Sequence, residues 1–159
     1  QGAATSPALA NLCAWRFDQR CAGLARALGA RYTRYADDLT FSGDATFARR
    51  IPALLAALSE IAKEEGFAVN GAKTRVMRRS GPQRVTGVVV NEHANVARAS
   101  YDELKAILHN CRTRGPQGEN RATHSDFRAH LDGRVGWVEQ VNPRRGAKLR
   151  AIYDAIHWS

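Results

Sequence analysis

The chain has 159 residues, 44% of them hydrophobic, with a formal net charge of +9 and a pI near 10.2. That length supports one buried core, or one core with a small appended subdomain, and the charge points toward a polyanionic partner such as nucleic acid. No apolar run approaches the ~18 residues of a membrane span, no signal peptide is visible, and an odd number of cysteines makes no disulfide framework, so the expected setting is a reducing cytoplasm without membrane contact.

Ser6 is placed to N-cap a first helix and Pro7 suits its first turn. Leu9, Cys13, Phe17, Cys21, Leu24 and Leu28 then recur at helical spacing until Gly29, with Cys13 and Cys21 read as small core residues of one face. Residues 31–35 and 39–42 predict two strands joined tightly at Ala36-Asp37-Asp38. A second helix, interrupted near Pro52, carries Ile51, Leu54, Leu55, Leu58 and Ile61 on one face and ends at Gly66. FAVN (67–70) predicts a short strand. TRVMR and RVTGVVVN predict two more around a turn at Ser80-Gly81-Pro82.

Beyond Asn91 the pattern becomes helical. Ser100-Tyr101-Asp102-Glu103 has the form of a capping box ahead of Leu104, Ile107 and Leu108. A loop over 114–120 precedes a helix with Phe127, Leu131, Val135 and Val138, and Asn142-Pro143 restarts the chain into a last helix with Leu149, Ile152, Tyr153 and Ile156. The expected fold is therefore α+β to about residue 95, followed by a three-helix piece.

Charge is uneven along this plan. Lys73, Arg75, Arg78, Arg79 and Arg84 occur with no acid among them, and the segment from Arg112 to Arg150 is again rich in arginine. Glu60, Glu64 and Glu65 make residues 51–72 acidic. Such runs are either solvated faces or phosphate-binding surfaces. Cys111, His124 and His130 have only half of a zinc-finger spacing, and there is no GxSxG, P-loop or GxGxxG. Trp15, Trp137 and Trp158 are expected as core anchors, with Trp137, between Gly136 and Val138, equally suited to base stacking.

The adjacent carboxylates of Asp37 and Asp38 repel each other. At a hairpin tip they make a solvated acidic turn, or they hold a hard divalent cation whose other positions go to water and phosphate oxygens. The surrounding residues bear on that choice. Tyr35-Ala36-Asp37-Asp38 resembles the YxDD signature of reverse transcriptases, and QGAATSP (1–7), GFAVNGAKTRVMR (66–78) and VTGVVVN (85–91) resemble further blocks of that family in order and spacing. The VTG triplet is typical of bacterial retron-type members, and HLDGRVGWVEQVNPRRGAKL (130–149) resembles their thumb.

The resemblance implies a polymerase palm, an antiparallel sheet with packed helices over residues 1–95, and a small helical thumb over 96–159. It implies an RNA-directed DNA polymerase that extends a primer 3′ hydroxyl with dNTPs on an RNA template, using Mg2+ or Mn2+. Asp37 and Asp38 would be the catalytic, metal-ligating carboxylates, and Lys73 would approach the departing pyrophosphate, or else be a solvated lysine. Gln1, Gly2, Tyr35 and Ala36 would lie at the nucleotide. Arg75, the Val85-Thr86-Gly87 segment, Arg144, Arg145 and Lys148 would hold primer and template, although Val85 and its neighbours also suit a plain buried strand. The family's first metal carboxylate and its fingers lie upstream of the QGxxxSP block, and the opening QG has no methionine before it, so a fragment is expected. Such a fragment would expose a sheet edge able to self-pair into a dimer. The alternative is a non-catalytic nucleic-acid-binding module with the same palm and thumb.

Overall fold

The computed structural model describes residues 3–158. Seven helices and four strands alternate in an α+β arrangement among those residues, and the chain divides into two compact units, one ending at Val76 and the other beginning at Met77.

The first unit contains α1 (Ser6–Cys13), α2 (Trp15–Ala27), β1 (Ala30–Tyr35), β2 (Asp38–Gly43), α3 (Ala45–Ala48) and α4 (Ile51–Glu64). Its core sets Phe17 and Cys21 of α2 against Leu58 and Ala62 of α4. Strands β1 and β2 pair antiparallel from Ala30↔Gly43 to Tyr35↔Asp38. Because strand side chains alternate, Tyr32 faces the core with Leu39 and Phe41, while Arg31, Thr33 and Tyr35 face outward. The Tyr32 and Phe41 rings meet at 5.0 Å. The acidic end of α4 has a local use: Arg20 of α2 bonds Glu64 and Glu65, and Arg16 reaches Glu65 at 3.4 Å.

Three expectations for this unit are corrected. The first helix is two helices, α1 and α2, divided at Ala14 (φ −87°, ψ 1°). Leu9, Leu12 and Cys13 of α1 and Trp15 of α2 are exposed, and Ser6 lies inside the helix behind Thr5, without a side-chain cap. The FAVN segment is not a strand. The Phe67 amide closes the end of α4 on Ala62 O at 2.7 Å and its ring packs tilted against Phe17, centroids 5.1 Å apart, so the chain is committed to the helices before it can pair. Gly29 and Gly66 do end their helices, at φ +72° and +79°, where an L side chain would be strained.

The second unit holds β3 (Arg84–Val85), β4 (Val88–Val89), α5 (Arg98–Arg114), α6 (Phe127–Val141) and α7 (Pro143–Asp154). Leu104, Leu108 and Cys111 of α5, Leu131, Val135 and Val138 of α6, and Leu149 and Tyr153 of α7 form its core. Gly146 is buried where α7 crosses α6, and a methyl group there would collide with the backbone of Glu139. Arg150 fixes the same pair of helices by bonding Glu139 and Asp132.

Here the expected TRVMR segment joins no strand ladder, and the hairpin turns at Thr86-Gly87 rather than at Ser80-Gly81-Pro82. Asn91 explains the shift, because its side chain accepts from the Gln83 amide and donates to Gly81 O, both at 2.9 Å, tying 81–83 down as a loop. Helix α5 begins at Arg98, so Ser100 is inside its first turn and makes no capping box. Of the tryptophans, only Trp158 packs against the core; Trp137 is 48% exposed.

Candidate active site

The β1–β2 hairpin closes with Tyr35 opposite Asp38, which leaves Ala36 and Asp37 as a two-residue turn. Ala36 sits at φ +51°, a left-handed conformation that costs a non-glycine residue about 1–2 kcal/mol. Tyr35, Asp37 and Asp38 are all exposed at this tip. Two adjacent carboxylates are hard oxygen donors and suit Mg2+ or Mn2+. Among the described residues no group of three or more His, Cys, Asp and Glu side chains stands together to hold a metal ion.

Behind the tip lies a network that sequence reasoning passed over. Arg34, on the inward face of β1, donates from Nε and Nη2 to the two oxygens of Asp18 at 2.8 and 2.7 Å. It also reaches Asn11 Oδ1 at 3.0 Å and the Ala36 carbonyl at 2.8 Å. Tyr32 donates its hydroxyl to Asp18 Oδ1 at 2.7 Å. The Arg34 hydrogen bond outweighs partial burial and holds the Asp18 carboxyl below its usual range, while burial and the acceptor Asp18 push the Tyr32 phenol up. The available signal was a charged residue at an inward position of a β alternation. Asp44, the other carboxylate near the hairpin, caps α3 by accepting from the Thr46 and Phe47 amides.

Lys73 stands exposed on a turn built by Asn70, whose side chain accepts from the amides of Ala72 and Lys73 at 3.1 and 3.3 Å. Thr74 returns its hydroxyl to Asn70 O at 3.0 Å. The Asn-x-x-Lys-Thr spacing thus forms a local turn around the exposed Lys73. Arg75 is exposed beside it. Gln1 and Gly2 lie outside the described residues.

In the second unit, Val85 is half-buried and Thr86 and Gly87 form the exposed β3–β4 turn at φ +47° and +86°. An open groove of about 440 Å³ is lined by Gly87, Tyr101, His130, Gly133, Arg134 and Trp137 among others. Asn142 caps α7 by accepting from the Arg145 amide at 3.0 Å. Arg144 and Lys148 are exposed on that helix. Arg145 is not free in the same way: its guanidinium bonds Asn95 Oδ1 at 3.2 Å and lies 5.0 Å from the centre of the Tyr101 ring.

A family model described as reverse transcriptase (RNA-dependent DNA polymerase) matches residues 1–105. The chain belongs to the reverse transcriptase family. Its relatives are of the bacterial retron type. It is 49% identical to the retron Mx65 reverse transcriptase of Myxococcus xanthus over 94% of this chain and 33% of the relative. It is 37% identical to the retron Mx162 reverse transcriptase of the same organism over 95% of this chain and 33% of that protein. The retron Ec86 reverse transcriptase of Escherichia coli is also 37% identical, over 69% of this chain and 34% of its own length. The chain thus spans about a third of the length of these reverse transcriptases. Asp37, Asp38, Lys73, Arg75 and the 85–87 hairpin lie inside the reverse transcriptase match, and Arg144, Arg145 and Lys148 lie beyond it.

Proposed function

We propose that the protein containing this chain is a retron-type RNA-directed DNA polymerase, and that residues 1–95 serve as palm and 96–159 as thumb. The observation that carries the reading is the two-residue turn that exposes Asp37 and Asp38 side by side, within a chain of this family. Asp37 is the principal metal ligand and Asp38 its neighbour, with further ligands supplied from outside the described residues. A bound pair of Mg2+ ions would supply charge stabilisation to the attacking and leaving oxygens of nucleotidyl transfer.

The chain's own residues then divide the work. Tyr35 and Ala36 border the incoming nucleotide, with Gln1 and Gly2 assigned to the same site from sequence. Lys73 offsets negative charge on the departing pyrophosphate. The Val85-Thr86-Gly87 turn and the groove toward Trp137 receive the primer strand, and Arg75, Arg144 and Lys148 contact phosphates of primer and template, with Arg145 supporting them. RNA template, primer and dNTPs are the substrates, and the cytoplasm is the setting.

The test is primer extension by the intact protein carrying Asp37→Asn. Synthesis should fall by more than about 10³-fold, because transition-state charge stabilisation is lost, while template affinity stays near wild type. Lys73→Ala should cost less, about 10²-fold. Near-normal turnover by Asp37→Asn would leave the chain as a nucleic-acid-binding module.

A further inference from the structure

We propose that Arg34, held by Asp18, is a positioning residue that sets the peptide between Ala36 and Asp37 and so aims the Asp37 carboxylate; the proposal rests on the polymerase reading above. A guanidinium carries its donors in one rigid plane, and here every edge of that plane is used. Nε and Nη2 lie on Asp18, Nη2 also on Asn11, and the remaining Nη1 on the Ala36 carbonyl. Asp18 is in turn fixed by the Tyr32 hydroxyl and rides on α2, which Phe17 and Cys21 anchor in the core. A continuous chain of contacts therefore runs from the core to the carbonyl immediately before Asp37.

The turn needs such a hold. Ala36 is in a conformation that L residues seldom adopt, and a two-residue turn has no other residue to absorb a rotation of the 36–37 peptide. Turning that peptide would swing the Asp37 side chain directly. The Arg34 side chain is only 10% exposed, so water does not compete strongly for its donors. Asp18, its carboxyl held below the usual range by the Arg34 hydrogen bond, presents a full negative charge to the guanidinium. A lysine at position 34 would place one point donor where a planar fork now spans three partners.

The experiment uses the intact protein with Arg34→Ala, Arg34→Lys, Asp18→Asn and Asp37→Asn. Steady-state nucleotide addition is measured, together with hydrogen–deuterium exchange of the metal-free protein. Arg34→Ala and Arg34→Lys should lower kcat by about 10- to 100-fold with little change in the KM for dNTP, since misplacement near 1 Å is worth about that much. Asp18→Asn should fall between them and wild type. Exchange should rise over residues 35–39 by more than it does through α2 and α4, where only the general loss of stability is felt. Full kcat in Arg34→Lys, or exchange rising equally through α2 and α4, would overturn the proposal, the latter because it marks a merely structural role. Asp37→Asn separates the two readings. If it remains active the polymerase assignment falls, whereas if it is inactive and Arg34→Ala keeps its kcat, only the positioning role falls.

Discussion

Tyr35 and Asp38 face each other on the last rung of the β1–β2 ladder, so the four residues Tyr-Ala-Asp-Asp are one closed hairpin end and not a loose loop. The backbone of Asp38 is held by the strand while its side chain, like that of Asp37, remains in solvent. Function and folding should therefore separate here. Asp37→Asn and Asp38→Asn are expected to change stability by less than about 0.5 kcal/mol, because neither carboxylate is buried or bonded within the hairpin. Urea denaturation of the variants checks this, and it guards the activity test against a trivial loss of fold.

The β3–β4 turn offers the opposite case. Thr86 is a β-branched residue at φ +47°, followed by Gly87 at φ +86°. Positive φ at both turn positions favours Asn-Gly, so the present sequence is a poor choice for stability. Thr86→Asn should stabilise the protein by about 0.5–1 kcal/mol, visible as a rise in Tm of about 1–4 °C. If Thr86 touches the primer, primer extension by the same variant should fall even as Tm rises. Calorimetry and extension assays on one preparation decide both points.

What could be read in the sequence was whatever local pattern encodes. The apolar spacing of Leu131, Val135 and Val138 marked α6, the Asn142-Pro143 pair marked the start of α7, and the aspartates marked a tight turn between strands. The failures occurred where a single side chain redirects the backbone. Asn70 and Asn91 capture nearby backbone groups and convert apolar runs that look like strands into turns and loops. Ala14 divides the helix in two without any glycine or proline to announce it. The support behind the aspartates was hidden for another reason. Arg34 meets residues 16 and 23 positions away, and no local periodicity records such a contact.

The Asp18–Arg34 pair also has a pH signature. The folded-state pKa of Asp18 is depressed below its ordinary value of 3.8, chiefly by the Arg34 hydrogen bond. A depressed carboxylate contributes stability that is complete above its unfolded pKa and is lost as pH falls through the folded one. Asp18→Asn should therefore cost about 1.5–3 kcal/mol at neutral pH, a cost typical of a hydrogen bond to a charged group. The difference from wild type should stay constant down to about pH 4 and shrink in stronger acid as the wild-type carboxylate protonates. Denaturant titrations across that range measure it. A difference that instead grew on acidification would mean that the pair is not ionised in the folded protein.

The basic residues of α7 should differ in what they do to nucleic-acid binding. Affinity carried by phosphate contacts falls with salt, the slope of log K against log salt being about 0.7 per phosphate for single strands and about 0.9 for duplexes. Arg144 and Lys148 are exposed on the N-terminal half of α7, where the helix dipole also favours phosphate. Replacing either with alanine should reduce that slope by about one contact's worth and leave Tm nearly unchanged. Arg145 has two partners inside its own unit, Asn95 and the face of Tyr101, which together fasten α7 to α5 and to the segment before it. Arg145→Ala should therefore lower stability by about 1–2 kcal/mol and weaken binding through the misplaced helix. Its effect on the salt slope should be smaller than that of its neighbours. Filter binding of a primer–template duplex at several salt concentrations, read beside the melting temperature of each variant, checks the assignment. If Arg145→Ala shortened the slope fully and left Tm intact, its guanidinium would be leaving Asn95 and Tyr101 to bind phosphate in the complex.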